Sequence, residues 1–225
     1  MNALRDRERW AYTETKVERD EKGQVKGSSI VRFDPSKPYP QQYAPITING
    51  NPPTEHDLRK YRELGERRAP KAEQAAQVAA RNEQRLSDMI DPDHIRLVSE
   101  DPVSVTFDLG LRKSSDFRLP PKNFQVLVRV DKAKQTLQHV DVQLEEPFRV
   151  LLVLKASSGS FHADFSTPDP RYGTVRTATH FDGAGTLLFV HLAVNEDVTR
   201  ADFKHVRPVD ESFDVKIGPL KALDF

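Results

Sequence analysis

The stretch "FQVLVRVDKAKQTLQHVDVQL", residues 124–144, decides the fold class. Phe124, Val126, Val128 and Val130 alternate with Gln125, Leu127 and Arg129, the two-residue period of a strand with one buried face. "VDKAKQTL" at 130–137 reads as a hairpin loop, and Val140, Val142 and Leu144 then resume the alternation. Upstream, Val103, Val105, Phe107 and Leu109 alternate in the same way with Ser104, Thr106 and Asp108. Downstream, strands are expected at 148–155, 160–166, 174–182, 185–194 and 200–206. Consecutive strands with short turns predict an antiparallel meander over 95–206.

Two of these strands, "PFRVLLVLK" and "TLLFVHLAV", are apolar at both odd and even positions. Both of their faces must therefore be covered, by a helix lying in a concave sheet or by an apolar ligand. The N-terminal part reads as a hairpin over 10–34, with Trp10, Tyr12 and Val17 before the turn "DEKG" and Val25, Ile30, Val31 and Phe33 after it. A proline-rich crossing segment, 35–53, leads to "TEHD" at 54–57, which has the form of a capping box. Leu58, Tyr61 and Leu64 follow at helical spacing, "GERRAP" offers a break, and an Ala-rich helix is expected over 71–90. The whole, 1–225, is expected to be a single domain: mainly β with some helix (α+β), a strongly curved antiparallel half-barrel with a helical cover, 54–90, over its concave face.

Composition excludes several classes of function. Lys plus Arg and Asp plus Glu both total 34, so no net field recruits nucleic acid or an anionic membrane. There is no cysteine, which removes thiol catalysis, disulfides and thiolate-bound zinc. No transmembrane segment is expected, because no apolar run approaches the roughly 18–20 residues that span a bilayer, and "MNALRDRERW" has no signal-peptide core.

Catalytic motifs are missing. No GxSxG is present; Ser157, Ser158 and Ser160 in "ASSGS" read as a flexible turn, and "FDGAGT" at 181–186 as a hairpin loop. His162 and Asp164 in "FHADF" share one strand face, and His180 or His191 could lie on neighbouring strands. Three or four converging ligands would be needed for a metal, and no ligand-spaced motif supports that. These groups are read as polar positions on a solvated face, with no metal and no cofactor. The arginines of "RELGERRAPK" are interleaved with Glu63 and Glu66 and read as a solvated helix end.

The phrase "VRFDPSKPYPQQYAPITINGNPPTEHDLRKY", together with "VRVDKAKQTLQHVDVQLEEPFRV" and "VTRADFKHVRP", resembles bacterial proteins of the superfamily of the outer-membrane lipoprotein carrier LolA. The resemblance runs from about Trp10 to Pro208. It implies a half-open, curved sheet whose concave apolar face holds lipid acyl chains in the periplasm. Asp34 stands where the carrier has an arginine important to lid closure.

Phe33, Val105, Phe107, Val126, Val128, Val142, Leu144, Leu152, Leu188 and Val190 are the candidate ligand-binding positions. The expected function is non-catalytic binding of a lipid, an acyl chain or an acylated protein. The alternative is an interaction module of the cell envelope whose cavity is filled by its own helix; a metal-assisted hydrolase using His162 and Asp164 is more remote.

Overall fold

Alternation of branched and aromatic residues with polar ones builds nearly everything that the computed structural model describes, residues 9–69, 90–112, 120–150, 154–187 and 190–209. In chain order the strands are β1 (Trp10–Arg19), β2 (Val25–Phe33), β3 (Tyr43–Ile48), β4 (Ile90–Glu100), β5 (Ser104–Leu111), β6 (Phe124–Asp131), β7 (Thr136–Leu144), β8 (Phe148–Val150), β9 (Leu154–Ser166), β10 (Val175–Leu187) and β11 (Val190–His205). One helix, α1 (Glu55–Glu66), lies among the described residues. The strands form one antiparallel sheet in the order β3-β2-β1-β11-β10-β9-β7-β6-β5-β4, with β8 paired to β9 off that path. Among the described residues the sheet is not closed: β3 and β4 are its edges. The meander expected from sequence is present, and its last strand returns to pair with β1 from Trp10↔His205 to Arg19↔Asn195.

Several boundaries differ from the sequence reading. The strands expected at 148–155 and 185–194, read as apolar on both faces, each divide between two paired strands, β8 and β9 in the first case and β10 and β11 in the second. "ASSGS" is no turn and "FDGAGT" no hairpin loop, because both lie within long strands, β9 and β10. Their small residues face one another, Gly159 opposite Gly183 and Ser158 opposite Ala184, and a bulge between Ala184 and Gly185 absorbs the irregularity. Glycine weakens a strand through lost entropy, but ladder pairing on both sides holds this one. β11 likewise runs unbroken through Asn195–Thr199, where an interruption was expected. β4 begins at Ile90, ahead of the expected 95, and its register slips between Asp91 and Ile95 where Pro92 falls.

The proline-rich segment is ordered and contains a strand that the sequence reading missed. Pro45 lies in β3, an edge strand, where a missing N–H costs least. The preceding turn is built around Asp34: its Oδ1 accepts from the Ser36 backbone N–H at 3.0 Å and from the Ser36 hydroxyl at 2.6 Å. Buried Gln42 closes it from beneath, its Nε2 donating to the Lys37 carbonyl at 3.2 Å. Asp34 therefore has a turn-stabilising role.

The capping box is as expected. Asp57 N–H donates to the Thr54 hydroxyl and the Thr54 backbone N–H donates to the Asp57 carboxylate at 2.9 Å. α1 packs against β3 and the turn at Tyr39–Gln41. The Ala-rich helix expected at 71–90 falls almost wholly outside the described residues.

Candidate functional site

Residues directly opposite in a β ladder point to the same side of the sheet. The register therefore sorts the candidates. Val126 faces Val142, Val142 faces Phe161, and Phe161 faces Phe181. Phe107 faces Val128, and Val105 faces Val130 two positions along. Phe33 and Val190 join the same face through β2 and β11. The described candidates Phe33, Val105, Phe107, Val126, Val128, Val142, Leu144 and Val190 thus lie on one side of the sheet. Leu152 and Leu188 lie outside the described residues.

That face is not uniform. Over β5–β10 it is apolar, and at its far end Val190, Leu192 and Val194 are 62%, 42% and 48% exposed. Over β11, β1 and β2 it turns ionic. Lys16 bridges Glu18 at 2.9 Å and Glu196 at 2.6 Å, and Arg200 Nε donates to Glu14 at 2.9 Å while its guanidinium sits 4.7 Å from the centre of the Tyr12 ring. A hollow of about 190 Å³ lies at this corner beneath α1, with Lys16, Glu18, Asn49, Asp57 and Lys60 among its mostly polar walls.

The opposite face carries an arrangement that the sequence reading saw only in part. The chain contains His-x-Asp three times, His139–Asp141 on β7, His162–Asp164 on β9 and His180–Asp182 on β10. Antiparallel pairing places the first two in reciprocal register, His139 opposite Asp164 and Asp141 opposite His162. His180 stands opposite both His162 and Asp197. A line of polar side chains results. His139 Nδ1 meets Asp164 at 2.6 Å and its Nε2 meets Asp141 at 2.8 Å. The other oxygen of Asp141 meets His162 Nδ1. The His162 ring lies 5.9 Å from that of His180 at an interplanar angle of 22°, and His180 Nδ1 reaches Asp197 at 2.6 Å. Arg19 donates to the second Asp197 oxygen.

Sequence inspection found His162, Asp164 and His180 but not His139, Asp141, Asp197 or Arg19. The repeated His-x-Asp spacing was the available signal. His191, the other residue considered there, instead pairs with Glu21 at 3.2 Å.

Two groups of the ladder depart from their ordinary values, His139 and Asp197. Partial burial opposes the charged form of His139, but hydrogen bonds to Asp164 and Asp141 outweigh it and raise its pKa above the ordinary 6.5. Asp197 is held below its ordinary 3.8 by the hydrogen bond to His180 and, against burial, by Arg19. A raised histidine contributes fully below its unfolded-state value and loses that contribution as pH rises through its folded value; a lowered aspartate contributes above its unfolded value and loses it as pH falls through its folded one. Both contributions are therefore full only between pH 3.8 and 6.5. NMR titration of the His139 ring is expected to give a midpoint above 6.5; a midpoint below it would contradict the pairing.

Comparisons with protein-family models, with curated proteins and with solved structures found no match.

Proposed function

We propose that this chain is a non-catalytic binding protein of the bacterial cell envelope that takes a lipid acyl chain, free or attached to a protein, against the apolar face of its open sheet. The observation that carries this reading is the alignment of Phe107, Val126, Val128, Val142, Phe161 and Phe181 on one face, continued by exposed Leu192 and Val194. An extended run of apolar side chains across neighbouring strands suits a long flexible hydrocarbon. Each methylene removed from water contributes about 0.8 kcal/mol, so no catalytic group and no net charge is required. In this reading the sheet curves around the ligand as a half-barrel, with α1 contributing to its cover; the periplasmic location rests on the resemblance to lipoprotein carriers.

Native mass spectrometry of protein purified from its own envelope, with organic extraction and titration by a fluorescent fatty acid, tests it. Co-purifying lipid and saturable probe uptake are expected. Absence of both would sink the proposal.

One observation favours a second reading, an envelope interaction module. β4 is an edge strand of 11 residues on which Ile95, Leu97 and Val98 are exposed, a template for pairing with another chain.

A further inference from the structure

The reciprocal His-x-Asp pair has the chemistry of a metal centre. His139 and His162 nitrogens and an Asp141 oxygen all lie within 4.8 Å of one another. Two imidazoles and one carboxylate form a donor set that suits zinc and related first-row divalent cations, with a further position open to water. The side chains are partly exposed, so a cation and its water can enter: 31% for His139, 33% for Asp141 and 42% for His162.

Two further features separate this cluster from a surface ion-pair network. Asp164 already binds His139 through Nδ1, the nitrogen that a metal on Nε2 leaves over. That carboxylate–histidine arrangement fixes the ring and raises its basicity toward a metal. The ligands also come from β7 and β9, held in register by the ladder from His139↔Asp164 to Gln143↔Ser160. They are thus positioned by backbone pairing and not by a loop.

We propose that His139, Asp141 and His162 bind one zinc-class divalent cation per chain, with Asp164 as the positioning residue for His139. Asp141 now bridges both rings. In the metal-bound state the cation takes over those links, with the donor atoms at the roughly 3.3–3.6 Å spacing that bonds of about 2.0–2.2 Å impose in a tetrahedron. The bound ion cross-links β7 to β9 across the excursion that contains β8. The site lies on the face opposite the proposed acyl surface and stands independently of it.

The test uses the full tag-free chain after chelator treatment, titrated with Zn²⁺ by calorimetry and with Co²⁺ by visible absorption. One equivalent is expected to bind. D141N and the double variant H139A/H162A should each weaken binding at least tenfold, and D164N by about 10- to 100-fold with the stoichiometry kept. H56A, at an exposed position on α1, should bind as the unmodified chain does. In the unmodified chain, Zn²⁺ should shift the ring resonances of His139 and His162 and leave those of His56 in place, a readout that needs no variant to fold. Absence of saturable binding, unchanged affinity in a folded H139A/H162A, or ring shifts confined to other histidines would overturn the proposal.

Discussion

Replacing Trp10 by alanine is expected to lower the melting temperature by on the order of 10 °C. Trp10 is 2% exposed and meets three rings edge-on: His205 at 5.1 Å, Tyr172 at 5.6 Å and Phe203 at 6.1 Å. Tyr172 and His205 are themselves stacked at 3.6 Å. The cluster sits on the β1–β11 seam, where the N-terminal hairpin joins the rest of the sheet, and Tyr172 adds the β9–β10 connection to it. Truncating a buried aromatic costs about 3–5 kcal/mol in lost transfer energy and residual cavity. For a chain of this size each kcal/mol corresponds to roughly 2–4 °C. W10F, which keeps a ring, should recover much of the loss. Thermal unfolding followed by circular dichroism checks both variants; an alanine variant that melts with the unmodified chain would mean that the seam is not closed by Trp10.

The second large effect is expected from Gly65→Ala, and its sign is informative. Helix propensity alone makes alanine better than glycine by about 1 kcal/mol. A β-carbon at Gly65, however, would lie 1.9 Å from the Tyr39 carbonyl oxygen, a backbone atom that cannot rotate aside. α1 would have to lift from the Tyr39–Gln41 turn. Arg68, just beyond the helix, would then lose its position 4.8 Å from the centre of the Phe33 ring and its 3.2 Å hydrogen bond to the Tyr43 hydroxyl. Overpacking of this kind costs about 1–3 kcal/mol, so the contact outweighs the propensity. Amide exchange across Glu55–Glu66 is expected to speed up relative to the unmodified chain. Slower exchange together with a higher melting temperature would show that the helix does not dock there.

How far the sequence was legible follows from which forces acted locally. The hairpin at 10–34, the alternation at 124–144 and the Thr54 cap depend on neighbours in the chain, and they are where the sequence places them. β3 was hidden because Tyr43–Ile48 carries a proline that only an edge position tolerates, and edge position is a property of the whole sheet. The glycines at 159, 183 and 185 signal turns when read singly. Cross-strand pairing overrides that signal, as no local rule could announce. The apolar face was readable as a set of candidates because two-residue alternation sorts residues by face. The histidine ladder was only half readable: spacing places His162 and Asp164 on one side, whereas the partnership with His139 and Asp141 depends on the β7–β9 register.

One face of the sheet is apolar, the surface proposed to take the acyl chain, and the other carries the His-x-Asp ladder. Isotope-filtered NOE spectroscopy tests this most directly, using the labelled chain with unlabelled fatty acid, because such NOEs report only direct contact. Contacts from the ligand chain to the methyl groups of Val128, Val142, Leu192 and Val194 are predicted, with none to Leu127, which lies on the ladder face between Asp108 and Asp141. Contacts to Leu127, or none to the four apolar-face residues at saturating ligand, would contradict it.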